Sequence, residues 1–436
     1  MNVKGFTYFD YILFLAVILL TTIGISFIYS SGINSDGALV SNEFIKQILW
    51  ASIGIVLMLV VAMLDYRRYA DRTFLLFAVF LSILVYTRIF GRYVNGAKSW
   101  IGIGELGIQP SEFSKIIYIL YLAYFLDRSS GDPAKLSRFI KSGLIMGIPM
   151  LLILSQPDLG TASVYIPIFI AMAFMAGIPL RFIGMVLIGG SLSLLFTLMP
   201  LWQDAIVQKP MPAMRILTEM RFTLIALFSL GVITVLAMMG RLIFKTRYYY
   251  WIAYFTGLVA VSLAASLGAS RVLKPYQLMR LIVFLDPNVD PLGSGWNIIQ
   301  SITAIGSGGP FGMGYLQGTQ SHYRFLPQQS TDFIFSILSE EWGFLGGLVV
   351  FILYGTILAR SLIIIKKTEN NFGALVATGI AAMYFFHFMV NIGMVMGMMP
   401  ITGIPLLFVS YGGSSLWTAM TASGLLMSIN MRRLDH

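Results

Sequence analysis

The chain contains 436 residues, of which 57% are hydrophobic and 11% are charged, and its formal net charge is +10. Because water-soluble domains carry about 25% charged residues, the composition excludes an ordinary soluble globular protein and indicates an integral membrane protein. The absence of cysteine excludes disulfides, thiolate catalysis and cysteine-ligated metals. The positive charge does not indicate nucleic-acid binding, since Lys and Arg in the loops of a membrane protein more often report its topology.

Twelve apolar segments predict an all-α polytopic membrane protein, because most of them are near the roughly 20 residues that cross a bilayer core. These segments are Phe9–Ser30, Phe44–Leu64, Thr73–Ile89, Glu112–Leu126, Ile140–Leu154, Leu159–Ala176, Phe182–Met199, Phe222–Met239, Tyr249–Leu267, Phe333–Ile365, Phe372–Met398 and Leu406–Met431. Twelve spans place both termini on the same side, and the short loops on that side are rich in Arg and Lys. The positive-inside rule therefore predicts cytoplasmic N and C termini.

Three segments on the opposite, outer side are longer than ordinary loops. The first, GRYVNGAKSWIGIGELGIQPSE, mixes Trp and Ile with cations, which predicts a segment in the lipid headgroup layer. The second runs from Trp202 to Arg221. The third, residues 270–332, is the largest and precedes the tenth span; it is too rich in glycine for a spanning helix and is predicted to fold back on the membrane surface. Four outer cations are not explained by topology, and either headgroup anchoring or ligand binding accounts for them: Arg271, Lys274, Arg280 and Arg324.

Asp332 lies where this third segment enters an apolar helix, in the run FLPQQSTDFIF. A carboxylate at a boundary between water and membrane is partly desolvated, which suits it to proton transfer. Asp332 is therefore the candidate catalytic residue. The alternative interpretation is that Asp332 is an N-cap, whose side chain accepts hydrogen bonds from the first N–H groups of the helix.

Two similar motifs, Gln109-Pro110-Ser111-Glu112 and Gln156-Pro157-Asp158-Leu159, begin two other spans at their outer ends. Glu112 and Lys115 are three residues apart, so both lie on one helix face. Ionisable residues at membrane depth are costly and usually mark a site, although these two could instead form a structural ion pair. Asp158 is either a helix cap or a further residue of the same site.

The eleventh span carries His387 and Asn391, which are one helical turn apart. They could line a polar pathway, but an interhelical hydrogen bond is the favoured interpretation. The segment TGIP and the segment SYGGSS follow, and their Pro and Gly residues predict a broken re-entry at an outer helix start. Packing by small residues is favoured there over anion binding.

The absence of several catalytic motifs limits the reactions that the chain could catalyse. The chain has no GxxxxGK[ST], HExxH or GxSxG, so nucleotide hydrolysis, zinc proteolysis and a serine-hydrolase elbow lack support. An outer site cannot use cytoplasmic nucleotides, and its donor must arrive already activated, most naturally linked to a lipid. A lipid diphosphate leaves as an anion without protonation, so one base with nearby cations would suffice.

Five motifs in a fixed order resemble the SEDS family of shape, elongation, division and sporulation proteins. They are QPSEFSK, QPDLGT, DPLGSGWNIIQS, GTQS with FLPQQSTDFIF, and PITGIPLLFVSYGGSS, and they cover nearly the whole chain. The GTQS and TDFIF sequences are more similar to those of the elongation members than to those of the division members. The resemblance implies a single integral domain over residues 1–436 in the bacterial inner membrane, with its active site on the outer side.

The family resemblance also implies the reaction. It implies a peptidoglycan glycosyltransferase that polymerises lipid II in cell-wall elongation and cell-shape maintenance, with a class B penicillin-binding protein as partner and membrane lipid around it. Asp332 matches the family's essential aspartate, and Glu112, Lys115 and Asp158 match its other polar site residues. In the implied mechanism Asp332 deprotonates the acceptor 4-hydroxyl, the donor anomeric centre is inverted, and undecaprenyl diphosphate leaves.

The resemblance further suggests which groups bind the substrate. The negative charge of the departing undecaprenyl diphosphate would be neutralised by Lys115, by the four outer cations or by a divalent cation. This divalent cation, Mg²⁺ or Mn²⁺, is the candidate cofactor. Gln320 and Ser321 of the GTQS motif are added as substrate-binding candidates. No metal-ligating residue is assigned.

The chain departs from the family pattern in three places. Gln328 and Ser330 replace the usual Glu and His before the aspartate, and Leu407 replaces a common Pro. The family typically has ten spans, so the two additional ones are interpreted as an inserted helix pair within residues 202–267, peripheral to the site. The main rival function is a lipid II flippase, and the second is a non-catalytic scaffold for the penicillin-binding protein.

Overall fold

The computed structural model describes residues 8–94, 97–103, 106–131, 135–209, 211–272 and 275–433. The chain forms two compact units. The first unit comprises Met1–Ile178 and Trp296–His436, and the second comprises Pro179–Gly295.

Most of the described residues belong to helices. In chain order they are α1 Tyr11–Ser31, α2 Glu43–Met63, α3 Thr73–Phe90, α4 Pro110–Arg128, α5 Leu136–Ser155, α6 Leu159–Ser163, α7 Tyr165–Met175, α8 Leu180–Trp202, α9 Arg215–Thr218, α10 Met220–Phe244, α11 Arg247–Val272, α12 Pro275–Leu285, α13 Ser294–Gly308, α14 Thr319–His322, α15 Ile334–Lys367, α16 Asn371–Val395 and α17 Gly413–Met431. Between α3 and α4 lie three short strands, β1 Arg92–Val94, β2 Ala97–Ile103 and β3 Leu106–Ile108.

Each of the twelve predicted spans is helical over most of its length. Within the part of the chain that the structure describes, nine helical segments are long and apolar enough to cross a membrane, and they contain α1, α2, α3, α5, α8, α10, α11, α15 and α16. The other three predicted spans correspond to α4, to α6 with α7, and to α17. The chain is thus a mostly helical, multi-span membrane protein, as predicted, whereas the number of spans and the side of the termini stay predictions.

The first outer segment contains a small β-sheet, so the all-α prediction was wrong there. β1 pairs antiparallel with β2, with Arg92 opposite Trp100, and β2 pairs antiparallel with β3. The Trp100 ring lies so close to Gly107 that a Cβ there would come within 2.9 Å of it. Short β-branched and aromatic runs separated by glycine favour strands over a helix, and that signal was missed in a chain whose other segments are helical.

Two helices differ from their predicted course. The last helix begins at Gly413 rather than Leu406, because Phe408 has a φ of +68° and the Ser410 hydroxyl accepts a hydrogen bond from the Leu406 N–H at 2.9 Å. α15 is interrupted at Gly343, whose φ of +65° and ψ of −159° are outside the helical region. The third outer segment also contains helices, since α12, α13 and α14 lie within residues 270–332.

Candidate functional site

Asp332 lies in the turn before α15, and its side chain is half-buried. The N-cap of α15 is Phe333, and no side-chain cap bond forms there. Phe333, and not Asp332, thus occupies the N-cap position. A Cβ placed on Gly403 would stand 3.5 Å from Oδ2 of Asp332, so the carboxylate faces the segment Pro400–Gly412, which we call the TGIP loop.

Asn391 of α16 ties the backbone of Asp332 to the TGIP loop. Its Nδ2 donates to the carbonyl of Asp332 at 2.9 Å and to the carbonyl of Ile404 at 2.8 Å. Asn391 is completely buried, so water does not compete for these bonds. Because one amide group holds both segments, the position of the carboxylate depends on the position of the loop.

His387, one turn before Asn391, extends the network to α4. Its Nδ1 lies 3.0 Å from the carbonyl of Pro405, and its Nε2 lies 3.2 Å from Nζ of Lys115. A carbonyl oxygen can only accept, so Nδ1 carries the proton and Nε2 accepts from the lysine. His387 and Asn391 therefore form the hydrogen bonds between elements that their spacing favoured.

Glu112 and Lys115 form a buried ion pair on α4. Nζ of Lys115 lies 2.9 Å from both carboxylate oxygens of Glu112, and the side chains are 0% and 4% exposed for Lys115 and Glu112. With His387 as a further acceptor, Lys115 has a protein partner for each of its three N–H groups. In this conformation Lys115 orients Glu112 and His387, and its ammonium group is not free to bind a substrate.

Asp158 is half-buried at the start of α6. Its Oδ1 accepts from the N–H of Thr161 at 3.0 Å, which is a cap, and its Oδ2 accepts from Nε2 of Gln109 at 2.8 Å. A Cβ on Gly160 would come within 2.5 Å of the carbonyl of Thr402. The start of α6 is thus packed against the TGIP loop, and Asp158 is both a cap and a member of the polar network around that loop.

Gln320 and Ser321 bind a carboxylate that the sequence reasoning missed. Their N–H groups donate to Glu340 of α15 at 2.7 and 3.3 Å, and the hydroxyl of Thr319 donates to the same group at 3.1 Å. The Ser321 side chain is buried, whereas Oε1 of Gln320 is buried without a hydrogen-bond partner. The GTQS turn is therefore held by Glu340, and Gln320 keeps one free acceptor.

Glu341 is the second residue of this buried acidic pair. It accepts from the hydroxyl of Ser30 and from the N–H of Leu316 at 3.0 Å, and its Oε1 lies 3.8 Å from Nε2 of His322. Burial, and then the charge of Glu341, raise the pKa of the Tyr315 phenol, which keeps it a hydrogen-bond donor. Two adjacent carboxylates inside an apolar helix are costly unless paired, and that signal could have identified Glu340 and Glu341.

Of the four cations predicted to bind substrate, the structure describes the side chains of two, Arg324 and Arg280. Arg324 is exposed in the same outer segment as Asp332 and has a φ of +57°. Arg280 belongs to the second unit, where its guanidinium lies 5.6 Å from the ring centre of Tyr276. The side chain of Arg271 and all of Lys274 lie outside the described residues.

For the glycosyl transfer that the family resemblance implies, replacing Asn391 with Leu is expected to lower kcat by up to about 10²-fold, because a misplacement of about 1 Å costs that much. KM for lipid II should change little. The matched control is Asn430→Leu, which removes another buried amide whose Nδ2 donates to a backbone carbonyl, that of Tyr8 at 2.8 Å. Steady-state rates of both folded variants check this, and an equal loss of kcat in the control would contradict a positioning role.

The chain matches known proteins over its whole length. The family model FTSW_RODA_SPOVE, described as cell cycle protein, matches residues 10–211 and 207–434. The chain is 60% identical to peptidoglycan glycosyltransferase RodA of Treponema pallidum, covering 100% of both chains, and 34% identical to stage V sporulation protein E of Bacillus subtilis, covering 97% of this chain and 96% of that one. A solved structure described as "Structural coordination of polymerization and crosslinking by a peptidoglycan synthase complex" matches with a TM-score of 0.68 at 25% identity, over 98% of this chain and 99% of that one. The chain therefore belongs to the FtsW/RodA/SpoVE family, which is the SEDS family that its motifs predict.

Proposed function

We propose that this chain is a peptidoglycan glycosyltransferase that polymerises lipid II into glycan strands during cell-wall elongation. The predicted enzyme class is confirmed by the 60% identity to a peptidoglycan glycosyltransferase over the full length of both chains. The observation that carries the proposal in this chain is the placement of Asp332. Its carboxylate is half-buried in front of α15 and faces the TGIP loop, and Asn391 fixes its backbone.

In the proposed reaction, Asp332 is the general base. Its carboxylate accepts the proton of the acceptor 4-hydroxyl while that oxygen forms a bond to the anomeric carbon of the donor. The bond from this carbon to the diphosphate breaks with inversion, and undecaprenyl diphosphate leaves as an anion. Asp332 then returns the proton to water. Glycosidases need a second carboxyl group to protonate an alkoxide, but a diphosphate leaves without one.

The charge of the departing diphosphate needs cations near the outer surface. The proposed candidates among the side chains are Arg324, Arg271, Lys274 and Arg280. Lys115 stabilises the site through its contacts with Glu112 and His387. A divalent cation, Mg²⁺ or Mn²⁺, is also proposed. Among the residues that the structure describes, no group of three or more acidic or histidine side chains is arranged to hold a metal. Mg²⁺ usually keeps several waters and binds substrate phosphates with few protein ligands, so such an ion would be held mainly by the diphosphate and would neutralise the leaving group.

We propose that the protein works in the bacterial inner membrane with Asp332 on the outer side. The positive-inside prediction supports this orientation. A class B penicillin-binding protein is the proposed partner, because the solved peptidoglycan synthase complex that this chain resembles couples polymerization to crosslinking. Residues 202–267 are proposed to be peripheral to catalysis.

The proposal is tested with purified protein and lipid II in detergent, where no membrane separates two compartments. A polymerase makes glycan strands under these conditions, whereas a flippase makes none. The partner and a divalent cation are added in separate reactions. Absence of strands in every combination, together with transport of lipid II across vesicles that contain the protein, would support the flippase instead.

A further inference from the structure

The second unit contains a basic cleft of about 370 Å³ at one end of its long helices. It lies where α8 begins, where α10 ends and where α11 begins. Four cations line it, namely Arg181, Arg241, Lys245 and Arg247, together with Tyr250 and Trp251. No acidic residue is among the lining side chains. The topology prediction places this end of the helices at the cytoplasmic face.

The cleft is held by contacts within the second unit. The hydroxyl of Tyr254 donates to the carbonyl of Arg181 at 2.7 Å, which fixes the start of α8 against α11. The guanidinium of Arg241 lies 4.5 Å from the ring centre of Tyr250, and that of Arg181 lies 5.9 Å from the same ring. One aromatic ring therefore orders two positive charges at the cleft.

These charges have no counterion among the residues that the structure describes. The ion pairs found there involve other cations, and none of the four has an acidic partner within 4.0 Å. Like charges that are held close together repel one another, so their arrangement is costly unless an anion neutralises it. An anion in the cleft would reduce this repulsion.

Helix dipoles explain only half of these cations. Arg241 and Lys245 lie at the carboxyl end of α10, where positive charge is favourable. Arg181 and Arg247 lie in the first turns of α8 and α11, which have no acidic residue and where the dipole disfavours positive charge. Positive-inside topology requires cations on this face, but it does not require them at helix N-termini around one cleft.

The backbone conformation of Lys245 also bears on this cleft. Lys245 ends α10 with a φ of +54°, a left-handed conformation in which helices usually place glycine because a side chain is strained there. The turn therefore keeps a lysine at a position where glycine would be more stable.

We propose that this cleft binds the phosphate of an anionic glycerophospholipid in the cytoplasmic leaflet. A lipid is favoured over a soluble anion because the last turn of α10 exposes large apolar side chains beside the cations: Leu242 is 78% exposed, Ile243 68% and Phe244 62%. Acyl chains would cover these side chains while the headgroup phosphate occupies the cleft. Basic clefts between helices on the cytoplasmic side bind such headgroups, and Trp and Tyr are common at that depth.

Native mass spectrometry of the full chain in neutral detergent tests the proposal, with dioleoylphosphatidylglycerol as the probe and dioleoylphosphatidylcholine as the neutral lipid. The test variant is R241Q/R247Q. The matched control is K366Q/K367Q, which removes two exposed cations from the last turn of α15. The Kd for phosphatidylglycerol should rise about 30-fold in the test variant and less than about twofold in the control. Phosphatidylcholine should bind weakly to all three proteins.

Several results would overturn the proposal: equal changes in the two variants, no change in either, or equal retention of the neutral lipid. Displacement of phosphatidylglycerol by millimolar inorganic phosphate would indicate a soluble anion instead. If R241Q/R247Q does not fold, Lys245→Gly replaces it, since this change relieves the backbone while it removes one cation. We expect about fivefold weaker phosphatidylglycerol binding from it, and unchanged binding would count against the site.

Discussion

Replacing Asp332 with Asn is expected to lower the initial rate of glycan strand synthesis by about 10²- to 10⁴-fold, the range that a general base contributes. The carboxamide has nearly the same size but cannot accept the acceptor's hydroxyl proton. Asn391 donates to the backbone carbonyl of residue 332, a group that the substitution does not change. The substitution should therefore leave the site in place, and the loss should be in the chemical step.

The rate is measured with purified protein and lipid II, and thermal unfolding of the same samples reports folding. Asp36→Asn is the matched control, because Asp36 is an exposed aspartate in the loop between α1 and α2, on the side predicted to face outward. We expect full activity from it. Strand synthesis at the wild-type rate by Asp332→Asn would show that Asp332 is not the base.

Breaking the ion pair between Glu112 and Lys115 of α4 is expected to lower the free energy of unfolding. Glu112→Gln or Lys115→Met alone leaves a buried charge without its partner, which costs about 3–5 kcal/mol of unfolding free energy. Lys115→Met also removes the donor to Nε2 of His387, so it should be the more harmful of the two. The double variant should recover much of the loss, because it leaves no unpaired charge.

A double-mutant cycle of unfolding free energies in detergent checks this coupling. Additive losses would contradict the ion pair as the stabilising element. The folded double variant also tests the role of Lys115. If Lys115 only orients the site, KM for lipid II should stay within about twofold of wild type while kcat falls. A large rise in KM would assign Lys115 a direct contact with substrate.

Local sequence patterns predicted the helices and one contact of the site. The apolar segments have the length of a membrane span, so their helices follow from composition. Glu112 and Lys115 are three residues apart, and helical periodicity alone brings them to one face. Asp158 was predicted as either a cap or a site residue, and it has both kinds of contact, because its two oxygens accept from different elements.

Contacts between distant segments were not predictable from one sequence. The double hydrogen bond of Asn391 joins residues 332 and 404, and no local pattern gives that pairing. The same holds for Glu340, whose carboxylate holds the GTQS turn about twenty residues earlier in the chain. Gln47 likewise bonds to the backbone of Ser410 and Gly412. The bonds of Asn391 and Gln47 position the TGIP loop, and those of Asn391 link it to the backbone of the candidate base.

Labelling of residue 332 from one side of the membrane shows whether this position is open to lipid substrate on the outer face. The chain has no cysteine, so Asp332→Cys provides a single thiol. A membrane-impermeant maleimide should label it in right-side-out vesicles, and added lipid II should slow the labelling. Labelling only in inverted vesicles would place residue 332 on the inner face, and labelling only after denaturation would show that it is closed to substrate; either result would rule out Asp332 as an outward-facing base.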